Sequence, residues 1–238
     1  MSKLLIAAHT GNFHEVKRLV DHGADANGEI IRDVCPLHNA ASSDSLEIVK
    51  YLVEHGADVN LNAFSVGSPL QSAVSSGSLE IVKYLVEHGA NVNLNTLSAG
   101  SHLQAAVSSG SLEIVKYLVE HGAGVNIRFF CVDSPLHNAA LSGSLEIVKY
   151  LVEHGANENF KSFSLGSPLH SAISSGSLEI VKYLVEHGAN VNFKYFSHGS
   201  PLHSPVLSGS LEIVKYLVEH GASVNSKYFS LGSPLHTA

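Results

Sequence analysis

One twelve-residue segment, Leu-Glu-Ile-Val-Lys-Tyr-Leu-Val-Glu-His-Gly-Ala, occurs six times in this chain without a change. Successive copies follow a strict 33-residue period and start at Leu46, Leu79, Leu112, Leu145, Leu178 and Leu211. A diverged seventh copy, from Phe13 to Ala24, precedes the first of them in the same register. A strict period of this length indicates a stack of similar structural units rather than one globular core.

Each twelve-residue segment is predicted to form a long helix. In the copy that starts at Leu79, Ser78 is expected to cap the helix start, and Gly89 provides a stop because glycine accepts the left-handed conformation. The outer face carries the charged side chains. The apolar residues with the spacing of a buried stripe are Leu79, Val82, Leu85 and Val86.

A shorter helix is predicted before each long one. It starts in this copy with Ser68 and Pro69, a proline at the first helical position, and it stops at Gly77. Residues 90–101, between the long helix and the next short one, are rich in Asn, Ser and Gly and are predicted to form an extended hairpin-like loop. Each repeat is therefore a short helix, a turn, a long helix and a projecting loop.

This arrangement resembles the ankyrin repeat, whose usual pattern contains Thr-Pro-Leu-His and Gly-Ala-Asp-Val-Asn. The chain has Ser-Pro-Leu-His at residues 134–137, 167–170, 200–203 and 233–236, and Gly-Ala-Asp-Val-Asn at residues 56–60. The resemblance covers all 238 residues. It implies an all-α repeat solenoid of helix-turn-helix units with β-hairpin-like loops. It also implies a single domain over 1–238, with a capping repeat at 1–27, followed by 33-residue repeats, the last truncated at 238.

Charge and composition limit the possible functions. Each of the six identical helices contributes two Glu and one Lys to the net charge of −7, so the acidity is a repeated solvated face. Nucleic acid binding needs a basic stripe instead, so no nucleic acid partner is expected. No membrane-spanning segment or signal peptide is found in the sequence, and Cys35 and Cys131 are too far apart in the stack for a disulfide. We expect a soluble, cytoplasmic monomer.

The sixteen histidines are predicted to be structural. Seven end the long helices, where a histidine interacts favourably with the helix dipole. Five more, His38, His137, His170, His203 and His236, lie in the Pro-Leu-His column, which the resemblance implies links a short helix to the neighbouring loop. Equivalent histidines are one repeat apart, several times a metal–nitrogen bond length. No catalytic motif is present either, so we expect no metal, no cofactor and no enzymatic activity.

The repeats differ from one another mainly in the loops and on the short helices. A set of equivalent positions in successive loops is called a loop column. Towards the C-terminus one loop column becomes basic and the next becomes aromatic. On two short helices, leucine replaces the serine of the other repeats. In ankyrin proteins these positions line the concave face that binds partners, so the resemblance implies a non-catalytic scaffold for a protein or peptide with acidic and apolar residues. The predicted partner-binding residues are Arg128, Phe129, Leu141, Lys161, Lys194, Tyr195, Leu207, Lys227 and Tyr228.

Structural alternatives exist for some of these columns. The basic loop column, Arg128, Lys161, Lys194 and Lys227, is explained equally well as a solvent-exposed edge of the loops with no binding role. The nearly invariant column Phe64, Leu97, Phe130, Phe163, Phe196 and Phe229 is expected to stack between loops as structure. Pro205, which replaces a small residue inside a short helix, is expected to distort that helix.

Two further functions are consistent with the sequence. The chain stops within the short helix of an eighth repeat, which suggests an N-terminal targeting module of a larger enzyme or ubiquitin-ligase adaptor whose active domain lies beyond residue 238. Leu52, at a fixed spacing before Asn60, resembles ankyrin sites that asparaginyl hydroxylases modify. The resemblance implies possible hydroxylation of Asn60, Asn93, Asn126, Asn192 and Asn225.

Overall fold

A computed structural model describes residues 3–28, 34–63, 66–96, 100–127, 133–195, 199–227 and 232–234. The chain forms two compact units, residues 1–124 and 125–238. Short helices of six to eight residues alternate with nine-residue helices in both units, as the 33-residue period predicts. The prediction of one domain over the whole chain stays a prediction.

The first unit contains four helix pairs and a short hairpin. Its elements are α1 (Lys3–His9), α2 (Phe13–Asp21), α3 (Pro36–Ser42), α4 (Leu46–Glu54), α5 (Pro69–Ser76), α6 (Leu79–Glu87), β1 (Asn95–Thr96), β2 (Gly100–Ser101), α7 (His102–Ser108) and α8 (Leu112–Glu120). The short helices α1, α3, α5 and α7 contact one another in that order, and the long helices α2, α4, α6 and α8 do the same. The unit is therefore a two-layer stack of helix pairs.

The second unit repeats the arrangement. Its elements are α9 (Pro135–Leu141), α10 (Leu145–Glu153), α11 (Pro168–Ser174), α12 (Leu178–Glu186), α13 (His203–Ser208) and α14 (Leu211–Glu219). Helices α9, α11 and α13 form the short-helix layer, and α10, α12 and α14 form the long-helix layer. The all-α repeat fold inferred from the period is confirmed within each unit.

The core of each unit lies between its two layers. In α6, Ile81, Val82 and Leu85 are fully buried, whereas Leu79 and Val86 are not part of this fully buried set. The predicted stripe was therefore partly wrong, since it included Leu79 and Val86 and omitted Ile81. The buried face differs because the long helix packs on its own short helix and on the long helices beside it.

The predicted serine cap forms at the start of α5, but five of the six identical long helices have no capping hydrogen bond to the side chain of the preceding serine. Ser68 caps α5 by accepting a hydrogen bond from the backbone N–H of Gln71 at 3.1 Å, and Gly77 ends the helix with φ +77°. The Ser78 hydroxyl does not cap α6 as expected. It donates to the Asp44 carboxylate of the preceding repeat at 2.5 Å, so it joins two repeats.

Four loops pair as narrow hairpins in the described part of the chain, as predicted. Strands β1 and β2 are antiparallel, with Thr96 opposite Gly100. Single antiparallel bridges mark the same position in three other repeats: Ala63 with Gly67, Ser162 with Gly166, and Tyr195 with Gly199. The loop position that becomes aromatic at Tyr195, with its equivalents Ala63, Thr96 and Ser162, therefore lies at the base of each of these hairpins.

Pro205 changes its short helix in the expected way. Helix α13 begins at His203 and has six residues, whereas α11 begins at Pro168, two positions earlier in the repeat. Pro205 thus falls in the first turn of α13, where its missing N–H breaks no helical hydrogen bond. The distortion is a loss of the first part of the helix.

No helix in the described part of the chain is long and apolar enough to cross a membrane.

Candidate functional site

Asparagine side chains connect the base of each loop to the next repeat. The side-chain oxygen accepts a hydrogen bond from the backbone N–H 31 residues ahead, and the side-chain nitrogen donates to a glycine carbonyl 29 residues ahead, at 2.7–3.2 Å. We call these residues the asparagine ladder: Asn27, Asn60, Asn93, Asn126, Asn159 and Asn192. The ladder holds neighbouring loops in register within each unit.

Four of the five predicted hydroxylation residues belong to the ladder: Asn60, Asn93, Asn126 and Asn192. Asn225 continues the register, but its side chain makes no hydrogen bond within the described residues. Sequence analysis missed Asn27 and Asn159, although the 33-residue register from Asn60 reaches both. Hydroxylation of this column stays a prediction.

Three of the Pro-Leu-His histidines, His38, His137 and His203, connect a short helix to the loop of the next repeat, as the resemblance implied. His137 Nε2 lies 3.2 Å from the Gly166 carbonyl oxygen, and its Nδ1 lies 2.7 Å from the Ser134 hydroxyl. His38 makes the equivalent contact to Gly67 at 2.8 Å. In both residues burial lowers the pKa of the imidazole, which favours a neutral ring. His236 lies outside the described residues.

This burial predicts a pH dependence of stability. Because the pKa of His137 is lowered in the folded chain, the unfolded chain takes up the proton first as the pH falls. The stability from neutral His137 is complete above the unfolded pKa of about 6.5 and decreases as the pH falls through that value. Glutamine occupies the same position in two repeats, at Gln71 and Gln104, so His137→Gln is a matched replacement.

Between about pH 7.5 and 5.5, the melting temperature of the parent should fall more than that of His137→Gln. Circular dichroism melts of the two proteins at several pH values measure the difference. Parallel curves would show that His137 makes no contribution in this range.

The histidines at the ends of the long helices are bound locally. In each histidine, Nδ1 lies 2.6–2.8 Å from the backbone carbonyl oxygen four residues earlier. Six of the imidazole rings also contact the tyrosine ring four residues earlier, with ring centroids 3.9–4.0 Å apart. No group of three His, Cys, Asp or Glu that could hold a metal occurs among the described residues.

Cys35 is a free, buried thiol whose pKa is raised by burial, whereas Cys131 lies outside the described residues.

The basic loop column is accessible where the structure describes it. Lys161, Lys194 and Lys227 are all exposed, and none forms an ion pair with another described residue. By contrast, Lys83, Lys116 and Lys149 on the long helices pair with a glutamate three positions earlier at 3.0–3.3 Å. Three other predicted binding residues, Arg128, Phe129 and Tyr228, lie outside the described residues.

Tyr195 differs from its predicted role. The sequence predicts that Tyr195 binds a partner, whereas the residue is only 7% exposed. Tyr195 pairs with Gly199 at the base of its own hairpin, and its ring lies next to Gly166 of the preceding hairpin. The equivalent Ala63 and Ser162 are buried too. We therefore assign Tyr195 to packing between loops.

Phe163 is exposed, although the sequence predicts that it packs between loops. Its column was expected to stack between loops, yet Phe163 is 92% exposed at the tip of its hairpin, so that expectation is wrong for this residue. The other five members of the column lie outside the described residues. Sequence analysis missed Phe163 as a candidate because near-invariance was taken as a sign of a structural role.

The two predicted leucines lie on short helices. Leu141 is the last residue of α9 and is 42% exposed, at a position that is serine in four other repeats. Leu207 lies in α13. Leu141 is therefore an exposed apolar group on the short-helix layer of the second unit.

Helix pairs in two layers, with hairpin loops and an asparagine ladder between neighbouring repeats, define a helical repeat protein. The chain belongs to the ankyrin repeat family, since the family profile "Ankyrin repeats (3 copies)" matches residues 1–63, 63–129, 96–162 and 136–228. Ankyrin repeats generally mediate protein–protein interactions.

A solved structure supports the same assignment. The crystal structure of the human ASB11 ankyrin repeat domain is similar to this chain with a TM-score of 0.83 and 28% sequence identity, covering 94% of this chain and 99% of that one. Comparison with curated protein sequences gives no match.

Proposed function

We propose that the chain is a non-catalytic protein-interaction scaffold whose partner-binding face includes the loops and short helices of the second unit. The observation that carries this proposal is the contrast between two sets of lysines. Three lysines on the long helices, Lys83, Lys116 and Lys149, each form an ion pair with a neighbouring glutamate, whereas Lys161, Lys194 and Lys227 are exposed and form no ion pair within the described residues. Exposed lysines and exposed apolar side chains in the same unit are suited to a partner with acidic and apolar groups.

The contrast also supplies a matched experiment. The triple variant Lys161→Ala, Lys194→Ala, Lys227→Ala removes three loop charges, and Lys83→Ala, Lys116→Ala, Lys149→Ala removes three charges from the long helices. Partners captured from cell lysate by the parent should be retained by the long-helix variant. They should bind the loop variant about tenfold more weakly, because three exposed charges contribute about 1.4 kcal/mol together.

The difference in partner affinity between the parent and the loop-lysine variant should also shrink as salt is added, since exposed charges are screened. Equal capture by both triple variants would contradict the proposed face. Capture of no partner by the parent would contradict the scaffold itself.

The other predictions about function remain open. A targeting role in a larger enzyme or ubiquitin-ligase adaptor stays a prediction, and the sequence of any downstream region tests it directly. Cytoplasmic location and a monomeric state also stay predictions.

A further inference from the structure

The long helix α14 has an apolar face that is open to solvent. Leu211 is 61% exposed and Val218 is 41% exposed, and a spacing of seven positions places them on the same side of the helix. Val214, which lies between them on that side, is half-buried, whereas the equivalent valines of the five other identical helices are fully buried. We call Leu211, Val214 and Val218 the α14 stripe.

The same stripe in α12 shows what covers such a face. Helix α12 has the same nine residues as α14, and its stripe consists of Leu178, Val181 and Val185, which are all buried or half-buried. Helix α14 packs beside it. The hydroxyl of Tyr216 lies 3.5 Å from the carbonyl oxygen of Lys182, and the Lys182 ammonium lies 5.8 Å from the centroid of the tyrosine ring. Because Lys182 borders the stripe, these contacts identify it as the surface that receives the tyrosine side of the next long helix.

The contact between a tyrosine and a lysine recurs in the first unit. The Tyr117 hydroxyl lies 3.5 Å from the Lys83 carbonyl oxygen, and the Lys50 ammonium lies 5.7 Å from the centroid of the Tyr84 ring. A stripe with its bordering lysine is therefore a repeated receptor for an aromatic side chain on a helix. In α14 the bordering lysine is Lys215, which is exposed.

A hollow of about 250 Å³ adjoins the start of the α14 stripe. Three of its six lining residues are apolar, and the full set is Gly176, Leu178, Ser210, Leu211, Glu212 and Ile213. Since Leu211 belongs to both the stripe and the hollow, a ligand on the stripe can place an apolar side chain in the hollow.

A second copy of the chain is poorly suited to this face. Its first long helix, α2, has Arg18 where the identical helices have tyrosine and Glu15 where they have isoleucine, and these two residues form an ion pair at 2.7 Å. Two α14 helices paired about the centres of their stripes would bring two Lys215 side chains together, and like charges oppose such a pair. The stripe is therefore better matched to a helix of another protein.

We propose that the α14 stripe binds an amphipathic helix of a partner protein. A tyrosine near the middle of that helix packs over Lys215, with its hydroxyl towards the Lys215 carbonyl oxygen. Apolar residues on the same side of the helix pack on Leu211 and Val218. This surface belongs to the long-helix layer, so it goes beyond the binding face proposed above for the loops and short helices.

Selection of helices on the full chain tests the stripe. A displayed library of three-helix bundles, each with one randomised outer helix face, is selected on the immobilised parent and counter-selected on the double variant Leu211→Ser, Val218→Ser. The enriched bundles should carry Tyr or Phe with apolar neighbours on the randomised face. Their Kd should rise at least about tenfold on the double variant and about threefold on Lys215→Ala.

The double variant should remain folded, because both side chains are exposed, and circular dichroism melts check this. Leu141→Ser is the matched control, since Leu141 is 42% exposed on a short helix and serine occupies its position in four other repeats. The selected bundles should bind this control as they bind the parent. They should also bind the triple variant of the loop lysines unchanged, so the result is independent of the proposed loop face.

Three results would overturn this assignment of the stripe. The first is a selection that enriches no bundles, and the second is enriched bundles that bind the parent and the double variant equally. The third is a dimer of the parent in light scattering that the double variant abolishes, because it would assign the stripe to a second copy of the chain.

Discussion

Replacing Tyr195 with alanine should lower the free energy of unfolding of the second unit by about 3 kcal/mol. The ring is 7% exposed and lies between its own hairpin and Gly166 of the preceding one, so truncation leaves a cavity between two loops. Hydrogen exchange should become faster in residues 159–195, because the two hairpins lose their common packing. Urea denaturation followed by circular dichroism measures the loss, and exchange measured by mass spectrometry locates it.

Tyr195→Phe is the matched control for this experiment. It keeps the ring, and phenylalanine occupies the same loop column at Phe129. We expect it to retain most of the stability that Tyr195→Ala loses. If Tyr195→Ala kept the unfolding midpoint of the parent but captured no partner, the result would show that Tyr195 binds the partner and does not stabilise the loops.

The second large effect is expected for Asn159→Ala. The side chain of Asn159 accepts from the backbone N–H of Asn190 at 2.7 Å and donates to the Gly188 carbonyl at 2.9 Å. Truncation removes both hydrogen bonds between neighbouring repeats. At about 0.5–1.5 kcal/mol for each bond, the variant should lose about 1–3 kcal/mol.

Asn225→Ala provides the comparison. Asn225 has the same place in its repeat, but its side chain makes no hydrogen bond within the described residues. Denaturation midpoints of the two variants should therefore differ, with Asn225→Ala close to the parent. Equal losses would show that the asparagine column acts through its own loop rather than through the next repeat.

The sequence predicts the framework well because one pattern recurs many times. The helix pairs, the hairpins and the short-helix cap at Ser68 each follow from local chemistry within one repeat, whereas the histidine link from His137 to the next repeat follows from the family resemblance. The predictions of the burial of Ile81 and of the capping role of Ser78 were wrong for a different reason. The buried face of a long helix and the partner of its first serine depend on the neighbouring repeat, and one repeat read alone does not contain that information.

The candidate site was harder to predict because adjacent residues of a hairpin have opposite roles. Tyr195 and Phe163 are aromatic and occupy neighbouring loop columns, yet the first is buried and the second is almost fully exposed. In an extended segment a shift of one position moves a side chain to the other face. Composition shows where aromatic residues accumulate, but the register at the bridge decides which of them can reach a partner.

The asparagine ladder also has a consequence for how such a chain changes length. Each ladder hydrogen bond joins one repeat to the next, and each copy of the twelve-residue segment is identical. Recombination between two of these segments removes or adds whole repeats, and every remaining asparagine then meets an equivalent glycine and an equivalent N–H. The ladder thus makes whole repeats exchangeable, so the number of repeats can vary in evolution while the contacts between neighbours stay the same.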